Sequence, residues 1–295
     1  MTMSYIACDR LYWPDGKRKC LTLSYDDGVT QDLRLLEILN RHGVKAAFNL
    51  NPGLFGEEDK VTAGKKEVSH IKLKAQDIIA TYQGQEIAAH GYLHTSLYGC
   101  DSAVCVKEIM DSRAALEELL GRPITGYAYA FGANDETVVS AARQCGIRYG
   151  RTIHSTGKFD IPENFLLWNP TCHHDDERLF ELLEEFLSDE PYFNFFSPAK
   201  LFYVWGHAYE FDQCDNWDRI EEFVEKASGR EDVWYATNEE IERYVRAYKN
   251  LIFSADSKFV TNPSAIPVWI GGMFENKSLC IAPGDTKALL PKVKM

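Results

Sequence analysis

The chain has 295 residues and a formal net charge of -12, because 44 acidic side chains outnumber 32 basic ones. Hydrophobic residues make up 45% of the sequence and charged residues 26%, which is ordinary globular composition and excludes a disordered chain. An acidic excess of this size argues against nucleic acid or an anionic membrane as a partner, since both require a positive protein surface.

Short apolar runs alternate with helical patterns along most of the chain, which is typical of βα units around a parallel sheet. The predicted strands, in chain order, cover residues 20–25, 45–49, 86–89, 127–131, 147–152, 166–168, 201–205 and 233–236. The predicted helices cover residues 32–40, 104–120, 218–227 and 238–249, the last with Asn238 as its N-cap. The length suits a single α/β barrel.

Residues 250–295 differ in composition from the rest of the chain. Pro and Gly interrupt short apolar runs there, with turn signals such as Pro283-Gly284 and Glu275-Asn276. We therefore predict a main α/β domain over residues 1–249 and a short C-terminal β appendage over residues 250–295, packed on the main domain.

No stretch approaches the roughly 20 consecutive apolar residues that span a bilayer. Residues 1–20 also lack the basic and apolar regions of a signal peptide, so we expect a cytoplasmic protein without a membrane partner. The cysteines include no Cys-x-x-Cys pair, which argues against a structural zinc cluster, and we expect them to be reduced and mostly buried. They are Cys8, Cys20, Cys100, Cys105, Cys145, Cys172, Cys214 and Cys280.

Residues that carry chemistry follow several of the predicted strands directly. Asp26 and Asp27 follow the first strand, His90 and His94 follow the third, and His207 follows the strand over 201–205. Because the carboxyl ends of all strands of a βα barrel open on one face, these side chains are expected to converge. A carboxylate with two imidazoles matches a catalytic metal site that keeps one position open. Taken singly, each feature has a plainer explanation as a helix cap, a solvated pair or a buried histidine.

The ordered combination of these motifs resembles the polysaccharide deacetylase family, carbohydrate esterase family four. The motifs are Leu23-Ser24-Tyr25-Asp26-Asp27-Gly28, then His90-x-x-x-His94, then Trp205-Gly206-His207, within about residues 20–245. The resemblance implies a distorted (β/α)7 barrel and metal-dependent hydrolysis of an N- or O-acetyl group on a saccharide.

The resemblance also implies roles for the matching residues. Asp26 would be the general base and His207 the general acid, while Asp27, His90 and His94 would hold one divalent cation. The cation would polarise the attacking water and the acetyl carbonyl. Zinc is the first choice, although a ligand set of this kind also tolerates cobalt, nickel or manganese.

The third family motif is altered in this chain. Ala128 and Ala130 stand where the family has Arg and Pro, so the partner that would orient Asp26 is missing from its usual place. We hypothesise that Arg151, at the end of the next predicted strand, supplies this charge; a surface arginine is the equally weighted alternative. The backbone N–H near Phe131 would contact the oxyanion, and Trp205 is a candidate substrate contact.

The fourth family motif is not recognisable. His173 and His174 could contact substrate, and one of them could supplement the metal site, but the favoured interpretation is that they and Asp175 cap a helix starting near residue 176. Glu210 and Asp212 both follow His207 closely, and either could hold its imidazolium. The sequence does not choose between them.

The sequence as a whole therefore predicts an intracellular enzyme acting on a small or soluble acetylated saccharide. A second hypothesis is an enzyme with the same barrel that hydrolyses another small amide or a cyclic imide. A third hypothesis is a catalytically silent carbohydrate-binding protein. The altered third motif gives it some weight, but the intact site residues argue against it, namely Asp26, Asp27, His90, His94 and His207.

Overall fold

The computed structural model describes residues 10–62, 65–188, 199–271 and 278–289. Cys8 and the predicted turn at residues 275–276 lie outside these ranges. The strands are β1 (Arg10–Tyr12), β2 (Lys19–Asp26), β3 (Ala46–Leu50), β4 (Glu58–Val61), β5 (Val68–Ile71), β6 (Glu86–Ala89), β7 (Gly126–Ala128), β8 (Tyr149–Arg151), β9 (Cys172–His173), β10 (Lys200–His207), β11 (Val233–Tyr235), β12 (Ile252–Phe253), β13 (Phe259–Thr261), β14 (Val268–Gly271), β15 (Ser278–Ile281) and β16 (Thr286–Ala288). The helices are α1 (Asp32–Arg41), α2 (Ile78–Thr81), α3 (Ser102–Leu120), α4 (Glu136–Gln144), α5 (Leu179–Leu187), α6 (Tyr209–Cys214), α7 (Trp217–Ala227) and α8 (Asn238–Lys249).

A parallel sheet with the strand order β8-β7-β6-β3-β2-β10-β9 forms the centre of the fold. Its two edges meet where Trp168, just before β9, forms a parallel bridge with Arg151 of β8. β11 pairs with the first half of β2, and β3 pairs with the second half. The prediction of a distorted (β/α)7 barrel is confirmed.

Strand β2 is buried along its whole length, and its side chains alternate between two apolar layers. Leu21, Leu23 and Tyr25 belong to the larger core cluster, which includes apolar residues of the surrounding helices. Cys20 belongs to a second cluster with Tyr149, Trp168, Leu201 and Tyr203, which fills the inside of the barrel. Asp26 and Cys20 are an even number of residues apart, so their side chains lie on the same side of β2. Asp26 therefore lies inside the barrel, at the carboxyl-terminal end of the strand.

The start of α8 closes the opposite end of the barrel. Asn238 is buried and bonds into the barrel, accepting from Thr22 Oγ1 at 2.8 Å and donating to the Tyr203 hydroxyl at 2.6 Å. The predicted cap at Asn238 is therefore wrong. Thr237 is the N-cap, in a capping box with Glu240.

Two of the predicted strands differ from the structure. The strand predicted over residues 127–131 ends at Ala128 and is followed by a 3-10 turn over Ala130–Gly132. The segment predicted as a strand over 166–168 begins as a 3-10 turn, Phe165–Leu167, because the Asn164 side chain accepts from the Leu166 N–H. Hydrophobicity cannot distinguish a short buried turn from a short buried strand.

Two small antiparallel sheets follow α8, with the strand orders β1-β14-β15 and β12-β13-β16. The N-terminal strand β1 is thus part of the C-terminal β structure. The Tyr244 hydroxyl connects α8 to β1 and β14. It donates to Tyr12 O at 2.6 Å and accepts from the Trp269 N–H at 2.9 Å. The boundary between residues 249 and 250 stays a prediction.

The seven described cysteines are all free thiols. Cys20, Cys105, Cys145 and Cys172 are buried, and Cys280 is exposed, so most of the described cysteines are buried as expected. Within the described part of the chain, no helix combines the length and the apolar character needed to cross a bilayer.

Candidate active site

The carboxyl ends of β2, β3, β8 and β10 bring four polar side chains to one place in the barrel. His207 and Asp26 are register partners across β10 and β2, and Asn49 is the partner of Asp26 across β3. Arg151 reaches the same carboxylate from the end of β8. At each of these positions the side chain points into the barrel from the end of a parallel strand, which explains why residues so distant in sequence meet.

Asp26 is a buried carboxylate with an ion-pair partner. The Arg151 Nη2 atom donates to Asp26 Oδ2, and Asn49 Nδ2 donates to Asp26 Oδ1 at 2.8 Å. Burial would raise the pKa of Asp26, but the charges of Arg151, His90 and His207 outweigh it and hold this pKa below its usual value. The contact that the Arg151 hypothesis requires is therefore present.

Trp205 supports Arg151 and offers little surface to a ligand. The guanidinium carbon of Arg151 lies 4.5 Å from the Trp205 ring centroid, a cation–π arrangement, and the Trp205 residue is only 8% exposed. His173 packs against the ring on its edge, with the centroids 4.7 Å apart. The prediction that Trp205 contacts substrate gains no support from this placement.

The predicted metal ligands Asp27, His90 and His94 lie together beside Asp26. One ligand atom of each falls within 4.8 Å of the others. His90 Nε2 and His94 Nε2 are 3.1 Å apart, and His94 Nε2 is 3.9 Å from Asp27 Oδ1. Because Zn–N and Zn–O bonds are about 2.0–2.2 Å long, two ligand atoms of one ion can be at most about 4.4 Å apart, and the separations of His94 from His90 and from Asp27 satisfy that limit.

The hydrogen bonding of His90 leaves the appropriate nitrogen free for a cation. His90 Nδ1 lies 2.8 Å from Ala128 O, and a carbonyl can only accept, so Nδ1 carries the proton and Nε2 the lone pair. Burial lowers the pKa of His90, and burial together with the neighbouring His90 lowers the pKa of His94 to about 4. Both imidazoles are therefore neutral at physiological pH, and the residues present fit a divalent cation.

Three residues of this region have left-handed backbone conformations that are uncommon for residues other than glycine. Their φ angles are 84° at Asp27, 56° at His94 and 57° at Phe131. Phe131 is 64% exposed, and its ring lies 4.5 Å from that of His94. The Gly132 N–H donates to Tyr129 O within the turn.

Two partners of Asp27 were missed in the sequence. Lys72 Nζ donates to Asp27 Oδ1 at 2.8 Å, and His70 Nε2 lies 3.2 Å from Asp27 Oδ2. Both residues come from the hairpin β4–β5 and the segment directly after it. Burial would raise the pKa of Asp27, but His70, Lys72 and two further histidines hold it well below its usual value.

Glu210 is the carboxylate that faces His207. Glu210 Oε2 lies 3.2 Å from His207 Nδ1, while His207 Nε2 lies 3.8 Å from Asp26 Oδ2. Burial would lower the pKa of His207, but Glu210, Asp26 and Asp27 raise it to about 9. Asp212, the alternative partner, instead accepts from Gln31 Nε2 and Trp217 Nε1.

His173 and His174 also surround Glu210. His173 Nε2 lies 3.1 Å and His174 Nε2 3.3 Å from Glu210 Oε2. The favoured interpretation of these histidines as a helix cap is wrong, because α5 begins only at Leu179 and no side chain caps it. The chain turns at residues 174–178 before the helix starts, and so His173 and His174 stay at the barrel end.

Gly206 allows His174 to pack under the strand that carries His207. A Cβ atom at Gly206 would lie 2.1 Å from His174 Nδ1. We expect Gly206→Ala to lower the free energy of unfolding by about 1–3 kcal/mol, because the added methyl group would displace the buried His174 ring. Urea denaturation measures this effect, and an unchanged midpoint would contradict the close approach.

Comparison with known proteins gives a family match and several structural likenesses. Residues 14–150 match the family model described as polysaccharide deacetylase. No curated protein sequence matches the chain. A candidate polysaccharide deacetylase from Mycobacterium smegmatis has 19% identity and a TM-score of 0.54, covering 84% of this chain and 96% of its own. This likeness shows the fold.

Two further solved structures are more distant. The Streptococcus pyogenes deacetylase PplD, in complex with acetate, has 21% identity and a TM-score of 0.43, covering 50% of this chain and 61% of its own length. A CE4 family pseudoenzyme from Bacillus anthracis has 15% identity and a TM-score of 0.45, covering 79% and 68%. The polysaccharide deacetylase model thus matches residues 14–150, a little under half of this chain, and the barrel agrees with the fold of the Mycobacterium smegmatis structure.

Proposed function

We propose that the protein is a metal-dependent hydrolase that removes an N- or O-linked acetyl group from a saccharide. One observation carries the proposal. The ligand atoms of Asp27, His90 and His94 lie within 4.8 Å of one another, directly beside the ion-paired Asp26 and the charged His207. The family match over residues 14–150 supports the substrate class.

In this proposal Asp27, His90 and His94 hold one divalent cation, for which zinc is the first choice. The cation supplies a Lewis acid that polarises the acetyl carbonyl and the attacking water. The lone pair on His90 Nε2, fixed by the bond from Nδ1 to Ala128 O, supports this ligand role.

Asp26 and His207 have pKa values displaced in opposite directions, as an acid–base pair requires. The pKa of Asp26 is lowered, so at neutral pH its carboxylate is ionised and can take a proton from the attacking water. The pKa of His207 is raised to about 9, so its imidazolium can give a proton to the leaving nitrogen or oxygen. The 3.8 Å between His207 Nε2 and Asp26 Oδ2 supports their joint action at one reaction centre.

Phe131 is the proposed contact for the substrate and for the oxyanion. Its exposed ring next to His94 offers a flat apolar surface to a sugar ring. Its backbone N–H follows β7 at the same barrel end as the metal ligands, where it can donate to the developing oxyanion. Arg151, in contrast, is proposed to act through Asp26 rather than on the substrate.

Acetate release from acetylated chito-oligosaccharides and chromogenic acetyl esters tests this function. We expect turnover that a chelator abolishes and that zinc or cobalt restores. The Asp26→Asn protein is the matched control for background hydrolysis, because it keeps the three ligands and lacks the base. Saccharide binding without turnover at any metal content would overturn the proposal and favour a silent binding protein.

The metal content of purified variants tests the ligand set separately from activity. We expect Asp27→Ala, His90→Ala and His94→Ala each to lose most of the bound metal, since each removes one of three protein ligands. Asp26→Asn and His207→Ala should keep it. Elemental analysis measures the stoichiometry, and an Asp27→Ala protein with a full complement of metal would contradict the assignment.

A further inference from the structure

Lys72 places a buried positive charge on the carboxylate that is proposed to bind the metal. The residue is 5% exposed, and its ammonium donates to Asp27 Oδ1 at 2.8 Å and to Asn51 Oδ1 at 3.1 Å. We propose that Lys72 is an internal counter-cation that competes with the divalent ion for Asp27 and thereby weakens metal binding at this site. The inference rests on the proposed metal site of Asp27, His90 and His94.

The charges of the site are balanced in pairs before any ion enters. Asp26 pairs with Arg151, and Asp27 pairs with Lys72, and all four side chains are almost completely buried. In a buried environment a charge that lacks a partner is costly. A divalent ion therefore enters a site whose two carboxylates already have one cation each, so its own charge is not compensated by them.

The geometry brings the ammonium and the ion to the same oxygen atom. Asp27 Oδ1 is the oxygen nearer to His94 Nε2, at 3.9 Å, and it is also the acceptor for Lys72. The other oxygen, Oδ2, faces His70 at 3.2 Å. An ion bound to Oδ1 at about 2.0–2.2 Å would lie within about 5 Å of Lys72 Nζ, a distance at which repulsion between buried charges is strong.

Lys72 is fixed in this position by the surrounding backbone. It forms an antiparallel bridge with Val29, and its N–H donates to Glu57 O at 2.9 Å. Asn51, which accepts from the ammonium, donates through Nδ2 to His90 O at 2.6 Å. The ammonium is therefore linked through Asn51 to the backbone of the ligand His90.

The affinity for zinc alone, measured by competition with a chromophoric chelator, tests the inference. We expect Lys72→Met, which keeps the length of the side chain and removes the charge, to lower the Kd for zinc at least about tenfold. Lys74→Met, two residues on and at an exposed position, is the matched control and should keep the wild-type Kd. Lys72→Arg keeps the charge and should remain close to wild type.

A second readout is independent of the chelator assay. Without metal, Lys72→Met should unfold at a lower temperature than wild type, because Asp27 loses its partner, and zinc should raise its Tm by more than it raises that of wild type. A Kd for Lys72→Met equal to or higher than that of wild type would overturn the inference, while the proposed metal site would still stand. If wild type binds zinc no better than Asp27→Ala, the inference and the metal-dependent function both fail.

Discussion

Replacing Arg151 by alanine is expected to lower kcat for acetyl hydrolysis by about 100- to 1000-fold, within the range of about 100- to 10,000-fold that a general acid or base contributes. Asp26 is buried, and burial alone would raise its pKa. Arg151 is the largest of the charges that oppose this effect, so without it the carboxylate is protonated over more of the pH range and cannot accept a proton. Steady-state kinetics with a chromogenic acetyl ester measure the loss.

Two controls separate this effect from general damage. Arg148→Ala removes an exposed arginine three residues earlier and should leave kcat unchanged. Arg151→Lys keeps the charge but not the planar group that lies over Trp205, so an intermediate kcat is expected. The Arg151→Ala protein should retain its metal, since Arg151 touches none of the three ligands. A kcat within twofold of wild type, with a cooperative thermal transition, would contradict the role of Arg151.

The barrel and the side chains at its rim were predictable because both follow from simple periodicities. Parallel strands end at one face of the barrel, and alternate side chains of a strand point in the same direction. Asp26, His90 and His207 therefore meet irrespective of the conformations of the loops. The position of Arg151 was less secure. A shift of one residue in the predicted strand would turn its side chain from the inside of the barrel to the outside.

The choice between Glu210 and Asp212 depended on a helix that the sequence analysis did not identify. α6 begins at Tyr209, directly after His207 and Ala208, and this turn brings Glu210 back to the imidazole. Asp212 lies two residues further round the helix and bonds to Trp217. A helix of six residues leaves too short a periodic pattern to be recognised.

The contribution of the hairpin β4–β5 could not be predicted from the sequence. Strand β4 is mostly exposed and three of its four residues are charged, while three of the four residues of β5 are half-buried, so neither strand shows a regular alternation of buried and exposed side chains. Lys72 meets Asp27 across 45 residues of sequence. The left-handed conformation of Phe131 was equally hidden, because a phenylalanine gives no local signal for a positive φ.

Replacing Glu210 by glutamine is expected to move the descending limb of the kcat–pH profile to lower pH. His207 acts as an acid only when protonated, so activity falls as the pH rises through its pKa, which is about 9 in the wild-type protein. Glu210 is the strongest of the groups that raise this pKa, and burial opposes it. With a neutral amide at position 210, the pKa should return to about 6.5, the usual value for histidine, or below it.

The size of the effect therefore depends on the pH of the assay. At pH 8 the variant should be about 30-fold slower than wild type, because only a few per cent of its His207 is protonated if the pKa is about 6.5. At pH 5.5 the two proteins should differ by only a few fold. That pH is above the pKa of about 4 for His94, so this imidazole remains neutral there.

Asp212→Asn is the matched control, since it makes the same chemical change two residues away at a carboxylate that does not face His207. Its descending limb should coincide with that of wild type. If Glu210→Gln lowers kcat equally at every pH, Glu210 acts on the structure and not on the proton of His207. If instead Asp212→Asn shifts the limb and Glu210→Gln does not, the imidazolium is held by the other carboxylate.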